Sequence, residues 1–384
     1  MDSVDVAVVG AGPAGSAAAR AAAQAGAEVV ILDRAEFPRY KTCGGGLIGP
    51  SLSALPAGPP VRAQITRVTT SLDGARERSR TASEPCLAMV TRAELDQWLL
   101  EAAIAAGARA RVPCRVLAVS EDRDGVVLST DAGDLRAGVV VAADGTSSRL
   151  AYDVGVRLSR VDLGLEVELE AGPLASRWLD RVHLDWGPIP GSYGWVFPKG
   201  ETLTVGVIAA RGAGAATKDY LRAFVSRLGL EDLRVIHESG HLTRCRTTDS
   251  PLGRGRVLLA GDAAGLLEPW TREGISFASR SGAVAGAVAA GGGEDLVARY
   301  TAALGADLLP EMAAGERCLR AFEAHPGVFH ALIGATGLGW HQFVRIASGE
   351  TTLARAWEHR SVRAGIGLLS LGHSSGPPVP QPAS

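Results

Sequence analysis

The first 33 residues of the chain form a complete βαβ pattern around a glycine-rich turn. The pattern predicts, in chain order, a strand over 4–9, the turn Gly10-x-Gly12-x-x-Gly15, a helix over 17–25 and a strand over 29–32. In such a turn the glycines allow a tight bend, close approach of a pyrophosphate, and packing of helix on strand. Asp33 follows about 20 residues later, where a ribose-binding carboxylate is expected. The unit predicts a dinucleotide site at a helix N-terminus, the alternative being a glycine-rich turn of another α/β protein.

Composition narrows the class of protein. The chain has 384 residues, more than one core usually accommodates, so two intertwined domains are expected. A net charge of −2 gives no basic footprint for nucleic acid. Five scattered cysteines without C-x-x-C spacing are typical of a reducing compartment. The predicted first strand leaves no room for a signal peptide, so we expect a cytoplasmic protein.

One long segment lacks charge. Residues 324–344 contain no Asp, Glu, Lys or Arg, but they include Pro326 and three histidines. We therefore predict packed helices rather than a membrane span, and peripheral contact with a membrane surface is the alternative. Residues 374–384 are rich in Ser, Gly and Pro and are expected to be disordered.

Two later segments specify the dinucleotide. A predicted strand over 139–142 leads to Asp144-Gly145, and a second over 257–259 leads to Gly261-Asp262. A carboxylate at the end of a strand can accept hydrogen bonds from a sugar alcohol, although helix capping would also use it. A helix predicted from Ile275 would direct its N-terminus at negative charge on a reduced flavin.

The three motifs, in this order, resemble those of the flavoprotein family that includes p-hydroxybenzoate hydroxylase, over about the first 300 residues. The resemblance implies FAD as cofactor, and it implies that Arg92 faces the phosphate or ribose region. It also implies an α/β fold class: a Rossmann-like FAD-binding domain with an antiparallel β-sheet substrate domain and a helical C-terminal part. One departure is Ala151, which stands where the family usually has Arg.

Two further motifs are similar to those of the geranylgeranyl reductase family. They are F-P-R-Y-K-T-C-G-G-G over 37–46, and P-x-x-Y-x-W-x-F-P over 190–198 with Gly206 beyond it. That family saturates C=C bonds in polyprenyl chains of lipids, chlorophyll side chains or menaquinone. The resemblance implies that Cys43 borders flavin and substrate. Ile208 departs from the glycine often found there.

The second motif also predicts an aromatic wall. Residues 190–208 predict two strands around a turn at 199–201. Alternate residues of a strand share a face, so Tyr193, Trp195 and Phe197 point the same way. An apolar substrate over a flavin suits such a face, although core packing would produce it too. After Pro269 the family commonly reads x-T-G-E-G-I, whereas this chain has Trp270 and Arg272. Either the pocket is altered or an anion is bound, or Arg272 is exposed at the surface.

These arguments give a candidate site. The predicted FAD-binding residues are Gly10, Gly12, Ala14, Gly15, Asp33, Arg34, Lys41, Gly44, Gly45, Gly46, Arg92, Val116, Asp144, Gly261, Asp262, Gly265, Gly274 and Ile275. The predicted catalytic residues are Cys43, Tyr193 and Trp195, and the substrate-binding residues are Tyr193, Trp195, Phe197 and Trp270. The H-E-x-x-H pattern at 237–241 lies in a strand-like context, so no metal is expected.

The expected domains are discontinuous. They are an FAD-binding domain of 1–55, 88–150 and 245–305, a substrate domain of 56–87 and 151–244, and a helical region over 306–373. The function expected from the resemblance is reduction of isoprenoid C=C bonds. The alternatives are a flavin monooxygenase or halogenase, and an electron-transfer flavoprotein. Because no second Rossmann pattern is present, electrons would come from transiently bound NAD(P)H or a ferredoxin-like carrier.

Overall fold

The computed structural model describes residues 1–359, which form three β-sheets surrounded by helices. The strands are β1 (Asp2–Val9), β2 (Val29–Leu32), β3 (Gly46–Leu47), β4 (Ala63–Ile65), β5 (Arg67–Leu72), β6 (Ala75–Thr81), β7 (Leu87–Met89), β8 (Arg109–Arg111), β9 (Val116–Asp122), β10 (Gly125–Thr130), β11 (Leu135–Ala142), β12 (Leu158–Glu170), β13 (Arg181–Trp186), β14 (Tyr193–Pro198), β15 (Thr202–Ala210), β16 (Val235–Arg246), β17 (Gly253–Arg254) and β18 (Val257–Leu259).

The helices account for most of the remaining ordered chain. They are α1 (Pro13–Gln24), α2 (Ser51–Ala54), α3 (Arg92–Ala105), α4 (Arg149–Val154), α5 (Ala175–Trp178), α6 (Gly214–Arg227), α7 (Ile275–Ala290), α8 (Leu296–Ala306), α9 (Leu308–Ala324), α10 (Pro326–Ala335), α11 (Gly337–Ala347) and α12 (Leu353–Glu358). Short 3₁₀ turns lie at Gly172–Leu174, Arg211–Ala213 and Gly261–Ala264.

The first sheet has the order β17-β18-β11-β1-β2-β8, and β9 and β10 extend it from β11. Its central strands are parallel, and β1 lies between β11 and β2. These strands are apolar along nearly their whole length because helices cover the sheet, and residues such as Val6, Ile31 and Val140 are fully buried. The predicted Rossmann-like domain is therefore confirmed.

The first helix differs from its sequence-based bounds. We predicted it over 17–25 from its alanines, but α1 runs from Pro13 to Gln24. The physical reason is that proline suits the first helical turn, since its fixed φ is helical and its missing N–H is not needed there. The helix therefore begins directly at the glycine turn.

Helices α1 and α7 pack with their backbones in contact. A Cβ atom on Gly282 would lie 2.0 Å from the carbonyl oxygen of Ala14, and one on Gly286 would lie 2.1 Å from that of Ala18. Only glycine permits this approach. The contact holds the start of α7 beside the glycine turn, although the two segments are about 260 residues apart in sequence.

The second sheet has the order β16-β12-β15-β14-β13-β5-β6. It is antiparallel as predicted, except that β13 and β5 run parallel. The hairpin of β14 and β15 turns at residues 199–201, which confirms the predicted turn. Tyr220 and Phe224 of α6 pack on one face of this sheet, against Val196 and Val205. The opposite face is free to line a cavity.

Several sequence-based expectations concern the remaining elements. The third sheet, of order β3-β7-β4, lies beside the loop that precedes residue 46. The uncharged segment 324–344 folds into α10 and most of α11. Within residues 1–359 no helix has both the length and the hydropathy needed to cross a bilayer. The H-E-x-x-H pattern lies in β16 rather than a helix. The predicted disordered tail, 374–384, and the end of the expected helical region lie outside the described residues.

We expect Gly286→Ala to destabilise the protein, although alanine normally favours a helix by about 1 kcal/mol over glycine. The new methyl group would push α1 and α7 apart, and overpacking of this kind costs about 1–3 kcal/mol. The measurement is Tm of the FAD-loaded protein. Gly305→Ala in α8 is the matched control, since its Cβ would meet no atom within 4 Å. Equal Tm values for the two variants would contradict the packing argument.

Candidate active site

A continuous cavity of about 1460 Å³ lies where the carboxyl ends of β1, β2 and β11 face the second sheet. Crevices at the carboxyl ends of parallel strands are where ligands bind in open α/β sheets. A pocket for one small ligand usually measures about 300–1,000 Å³, so this cavity has room for a dinucleotide together with a second molecule.

The glycine turn forms one end of this cavity. Gly10 has φ +99°, and a Cβ there would lie 2.3 Å from the carbonyl oxygen of Ala143. Gly12 faces open space, since its Cβ would meet only the Arg39 guanidinium, at 3.5 Å. The Asp33 carboxylate accepts the backbone N–H of Ala11 at 2.7 Å through one oxygen. Asp33 thus fixes the turn while it lines the cavity, where a ribose would lie.

A polar cluster follows along the cavity. His241 Nε2 lies 3.1 Å from Lys41 Nζ, 2.9 Å from Thr146 Oγ1 and 3.9 Å from a carboxylate oxygen of Asp262. Burial and the nearby Arg92 charge lower the pKa of Lys41. Burial alone would raise the pKa of Asp262, but the His241 hydrogen bond and the Lys41 charge lower it on balance. Asp262 is therefore an ionised acceptor that faces the cavity.

Arg92 contributes fixed positive charge. Its Nε and Nη2 each donate to Asp96 at 2.8 Å, and the same carboxylate lies 3.0 Å from Arg39. Asp96 is fully buried, so the pair is rigid. The guanidinium lines the cavity, and two of its nitrogens are bound to Asp96.

The loop 43–46 lies between the two sheets. A Cβ on Gly44 would be 2.9 Å from the Phe197 ring and 3.0 Å from Trp195 Nε1, and one on Gly45 would be 2.1 Å from the carbonyl oxygen of Val90. Glycine is required at Gly44 because the backbone passes against the aromatic wall, and at Gly45 because it passes against the Val90 carbonyl. The loop therefore brings Cys43 into the cavity between the glycine turn and the wall.

Glu166 holds this loop, although no sequence motif marks it. Its Oε1 accepts the backbone N–H of Cys43 at 2.9 Å and the Tyr40 hydroxyl at 3.2 Å. The side chain is almost fully buried, and burial raises the pKa of its carboxyl. Alternating acids along β12, at 166, 168 and 170, are a sequence signal that could have marked a polar strand face.

The aromatic wall forms as predicted, on one face of β14. The Tyr193 and Trp195 rings lie 5.8 Å apart, and Trp195 and Phe197 lie 6.0 Å apart. The Tyr193 hydroxyl donates to the backbone carbonyl of Thr271 at 2.5 Å, and burial raises the pKa of this phenol. The hydroxyl proton is therefore already hydrogen-bonded within the protein.

Beyond the wall the cavity becomes apolar and continues between the C-terminal helices. Its lining there includes Trp186, Trp270, Phe329, Ile333, Phe343 and Ile346. Of these residues only Trp270 was predicted from a sequence motif, because α10 and α11 carry no motif. A long hydrocarbon chain would be shielded from water in this part of the cavity. We call this part the apolar lobe.

Arg272 is buried, so the interpretation as a surface residue is wrong. Its Nε lies 3.1 Å from Asp162, and it donates to the carbonyl oxygens of Trp270 at 2.7 Å and Gly191 at 3.1 Å. The anion that it binds is thus Asp162 of β12. Arg272 has φ +57°, a conformation that favours glycine, so its contacts hold the backbone in a strained state.

The structure brings most of the predicted residues to the cavity, with three exceptions. Gly15, Gly261 and Gly265 do not line it. Gly15 packs against Gly10, the N–H of Gly261 donates to Ser281 at 2.9 Å, and Gly265, at φ +66°, ends the 3₁₀ turn. They shape the backbone that carries the neighbouring cavity-lining residues.

Two polar atoms support occupation of the cavity by a cofactor. Asp144 Oδ1 and Trp195 Nε1 are buried at its lining and have no hydrogen-bond partner within residues 1–359. Buried polar groups are normally paired, so an unpaired acceptor and donor here fit the hydroxyls and ring atoms of a dinucleotide. The residues present thus fit FAD.

Comparison with known proteins also indicates that the chain binds FAD. Residues 3–172 of this chain match the family of FAD binding domains. A digeranylgeranylglycerophospholipid reductase of Methanopyrus kandleri is 34% identical over 310 residues, which cover 74% of this chain and 80% of the relative. A menaquinone reductase of Mycobacterium tuberculosis is 33% identical over 314 residues, covering 74% and 76%.

Solved structures share the fold. A geranylgeranyl bacteriochlorophyll reductase-like protein from Thermoplasma acidophilum superposes with a TM-score of 0.78, at 21% identity, over 93% of this chain and 99% of that one. Flavin-dependent halogenases also have this fold, at similarly low identity. At such identities the likeness concerns the fold alone.

The Glu273 carboxyl gives a pH prediction. Burial raises its pKa to about 7. The unfolded value is about 4.3, so the carboxyl binds its proton more tightly when folded. Its contribution to stability is complete below about pH 4.3 and is lost as the pH rises towards 7.

We therefore expect Glu273→Gln to reduce the loss of stability between pH 5 and pH 8 by about 1–2 kcal/mol. Glutamine can still accept the N–H of Ser276 and the Ser51 hydroxyl, which bind the carboxylate at 2.6 and 3.0 Å. Urea unfolding of the FAD-loaded protein across this pH range measures the effect. Glu84→Gln, at an exposed position, is the control. Parallel curves of stability against pH for wild type and Glu273→Gln would contradict the prediction.

Proposed function

This chain belongs to the geranylgeranyl reductase family of FAD-dependent oxidoreductases, and we propose that it saturates C=C double bonds of an isoprenoid substrate. The observation that supports this proposal most is the continuity of the cavity. A polar end suited to FAD runs, past the aromatic wall, into the apolar lobe. The two relatives are named for different isoprenoid lipids, which agrees with a shared prenyl chain rather than one head group.

Different residues of the cavity would bind different parts of FAD. The turn at Gly10 and Gly12, with Asp33, would hold the adenosine and pyrophosphate, and Asp262 would accept hydrogen bonds from the ribityl chain. The loop 44–46 and Gly274 would border the flavin ring. When reduced, FAD supplies the hydride for one alkene carbon. Electrons would come from NAD(P)H or a ferredoxin-like carrier.

The other alkene carbon needs a proton, and the contacts favour Cys43 over Tyr193 as its source. The Tyr193 hydroxyl is bound to the Thr271 carbonyl, so proton donation from it would break that bond. Cys43 lines the cavity, and its Sγ accepts a long hydrogen bond of 3.4 Å from Gly45 N–H, which leaves the thiol proton free for transfer. Tyr193, Trp195 and Phe197 would hold the alkene over the ring.

The aromatic wall also excludes water from that position, since Trp195 is nearly buried and the loop 44–46 covers it. Water exclusion protects the reduced cofactor and keeps proton delivery under the control of the protein. A monooxygenase or halogenase on the same fold would instead need oxygen, which gives a clear experimental distinction.

The function is tested by anaerobic mixing of dithionite-reduced enzyme with a geranylgeranyl lipid. We expect reoxidation of the flavin, and a product heavier by two hydrogen atoms for each bond saturated. An unchanged lipid mass over several prenyl lengths would count against the proposal. Product that forms only with oxygen and NAD(P)H would instead indicate a monooxygenase.

We expect Cys43→Ala to slow substrate-dependent flavin reoxidation by about 100-fold, since a general acid typically contributes 10²–10⁴-fold. Tyr193→Phe should remain within a few-fold of wild type, because its hydroxyl serves the Thr271 carbonyl. Stopped-flow absorbance gives both rates, and the flavin spectrum shows whether the cofactor remains bound. A larger effect of Tyr193→Phe than of Cys43→Ala would reverse the assignment.

A further inference from the structure

Helices α10 and α11 form a hairpin with an unusual outer surface. No Asp, Glu, Lys or Arg occurs in residues 324–344. Val328 is 39% exposed, Leu332 44% and Leu338 74%. Val328 and Leu332 lie one turn apart on α10, and a Cβ on Gly339 of α11 would touch the Leu332 backbone, so the three side chains form one patch. We call it the hairpin patch.

The hairpin patch coincides with an opening of the apolar lobe. Leu332 and Leu338 are exposed to solvent and also line the cavity. Thr336, Gly339 and Gln342, which lie between and after them, line it as well. A side chain that belongs to both surfaces marks a mouth, so the lobe reaches solvent between the two helices.

Basic residues flank this mouth on the exposed edge strand β6. His330 Nε2 lies 2.8 Å from the carbonyl oxygen of Arg76, so α10 is attached to that strand. Arg78 packs against Gly334 of α10, and the Arg80 guanidinium lies 5.6 Å from the centre of the Trp340 ring. The strand carries three arginines and one glutamate, Glu77.

An uncharged apolar surface beside basic residues is the pattern by which helices lie in the interface of an anionic bilayer. A helix of 10 residues spans about 15 Å, half of the hydrocarbon thickness, so α10 can lie on a bilayer but not cross it. Charge complementarity therefore selects an anionic membrane surface rather than another protein.

We propose that the hairpin patch and β6 dock on an anionic lipid bilayer, so that an isoprenoid lipid enters the apolar lobe directly from the membrane. Docking follows from the surface itself, whereas the identity of the entering lipid rests on the proposed function. The hydrophobic side chains enter the acyl boundary, and Arg76, Arg78 and Arg80 meet the anionic head groups. The prenyl chain then moves between two apolar surroundings without crossing water.

The first experiment measures flotation of the whole FAD-loaded chain with vesicles of phosphatidylcholine and phosphatidylglycerol. We expect Leu332→Glu/Leu338→Glu to lower the vesicle partition coefficient at least ten-fold. Arg78→Gln/Arg80→Gln should lower it several-fold and weaken its salt dependence. The matched control is Leu179→Glu/Ile236→Glu, which adds the same charges at apolar positions 60% and 44% exposed, between α5 and β13 and on β16. Binding of the control should equal that of wild type.

The second experiment separates docking from catalysis. With the prenyl lipid embedded in vesicles, the Arg78→Gln/Arg80→Gln variant, whose changed side chains do not line the cavity, should lose several-fold in rate. With a short prenyl alcohol in solution it should match wild type. If wild type reduces neither substrate but still binds vesicles, the proposed function fails and docking stands.

Three results would overturn docking. The first is wild-type protein that does not float with anionic vesicles. The second is vesicle binding that the hairpin variant retains while its oligomeric mass falls, which would assign the patch to a second copy of the chain. The third is vesicle binding that appears only after residues 360–384 are removed. That result would assign the hairpin patch to the chain's own C-terminal residues.

Discussion

Close backbone contact between α1 and α7 is the constraint on which the rest of the structure depends. Gly282 and Gly286 bring the later helix against the carbonyl oxygens of Ala14 and Ala18, at distances that no Cβ would allow. The same contact places the Asp262 turn and the start of α7 beside the glycine turn. The polar part of the cavity, the cofactor crevice, thus forms from two segments that are far apart in sequence, the glycine turn before α1 and the Asp262 turn before α7. A larger residue at Gly282 or Gly286 would push these segments apart.

The second sheet is attached to this crevice by buried charge. Glu166 binds the backbone of Cys43, and Asp162 binds Arg272, so two residues four positions apart on β12 hold the loops that flank the predicted flavin position. The buried ion pair of Asp162 and Arg272 contributes less to stability than to geometry, because desolvation offsets most of the attraction. Their effect is to fix the aromatic wall relative to the cofactor crevice, which a reaction between two bound molecules requires.

The cavity changes character along its length, and this gradient links binding to chemistry. Its polar end carries Lys41, Arg92 and Asp262, whereas its far end is lined by aromatic and aliphatic side chains of α10 and α11. A molecule with a polar head would gain little in the apolar lobe, but a long hydrocarbon would be removed from water along its whole length. Under the proposed function, this arrangement would select substrates by hydrophobic length more than by head group.

The sequence by itself determined the local chemistry: the βαβ unit, the order of the three cofactor motifs, the hairpin at 199–201 and the shared face of Tyr193, Trp195 and Phe197. Each follows from periodicity or glycine spacing within a short stretch. Only the tertiary structure decided the roles of Glu166 and Arg272 and of helices α10 and α11. Their partners are distant in sequence, so no local pattern reports them. Arg272 shows why: its charge suggests a surface position, but in the folded chain it is buried and donates a hydrogen bond to Asp162 of β12.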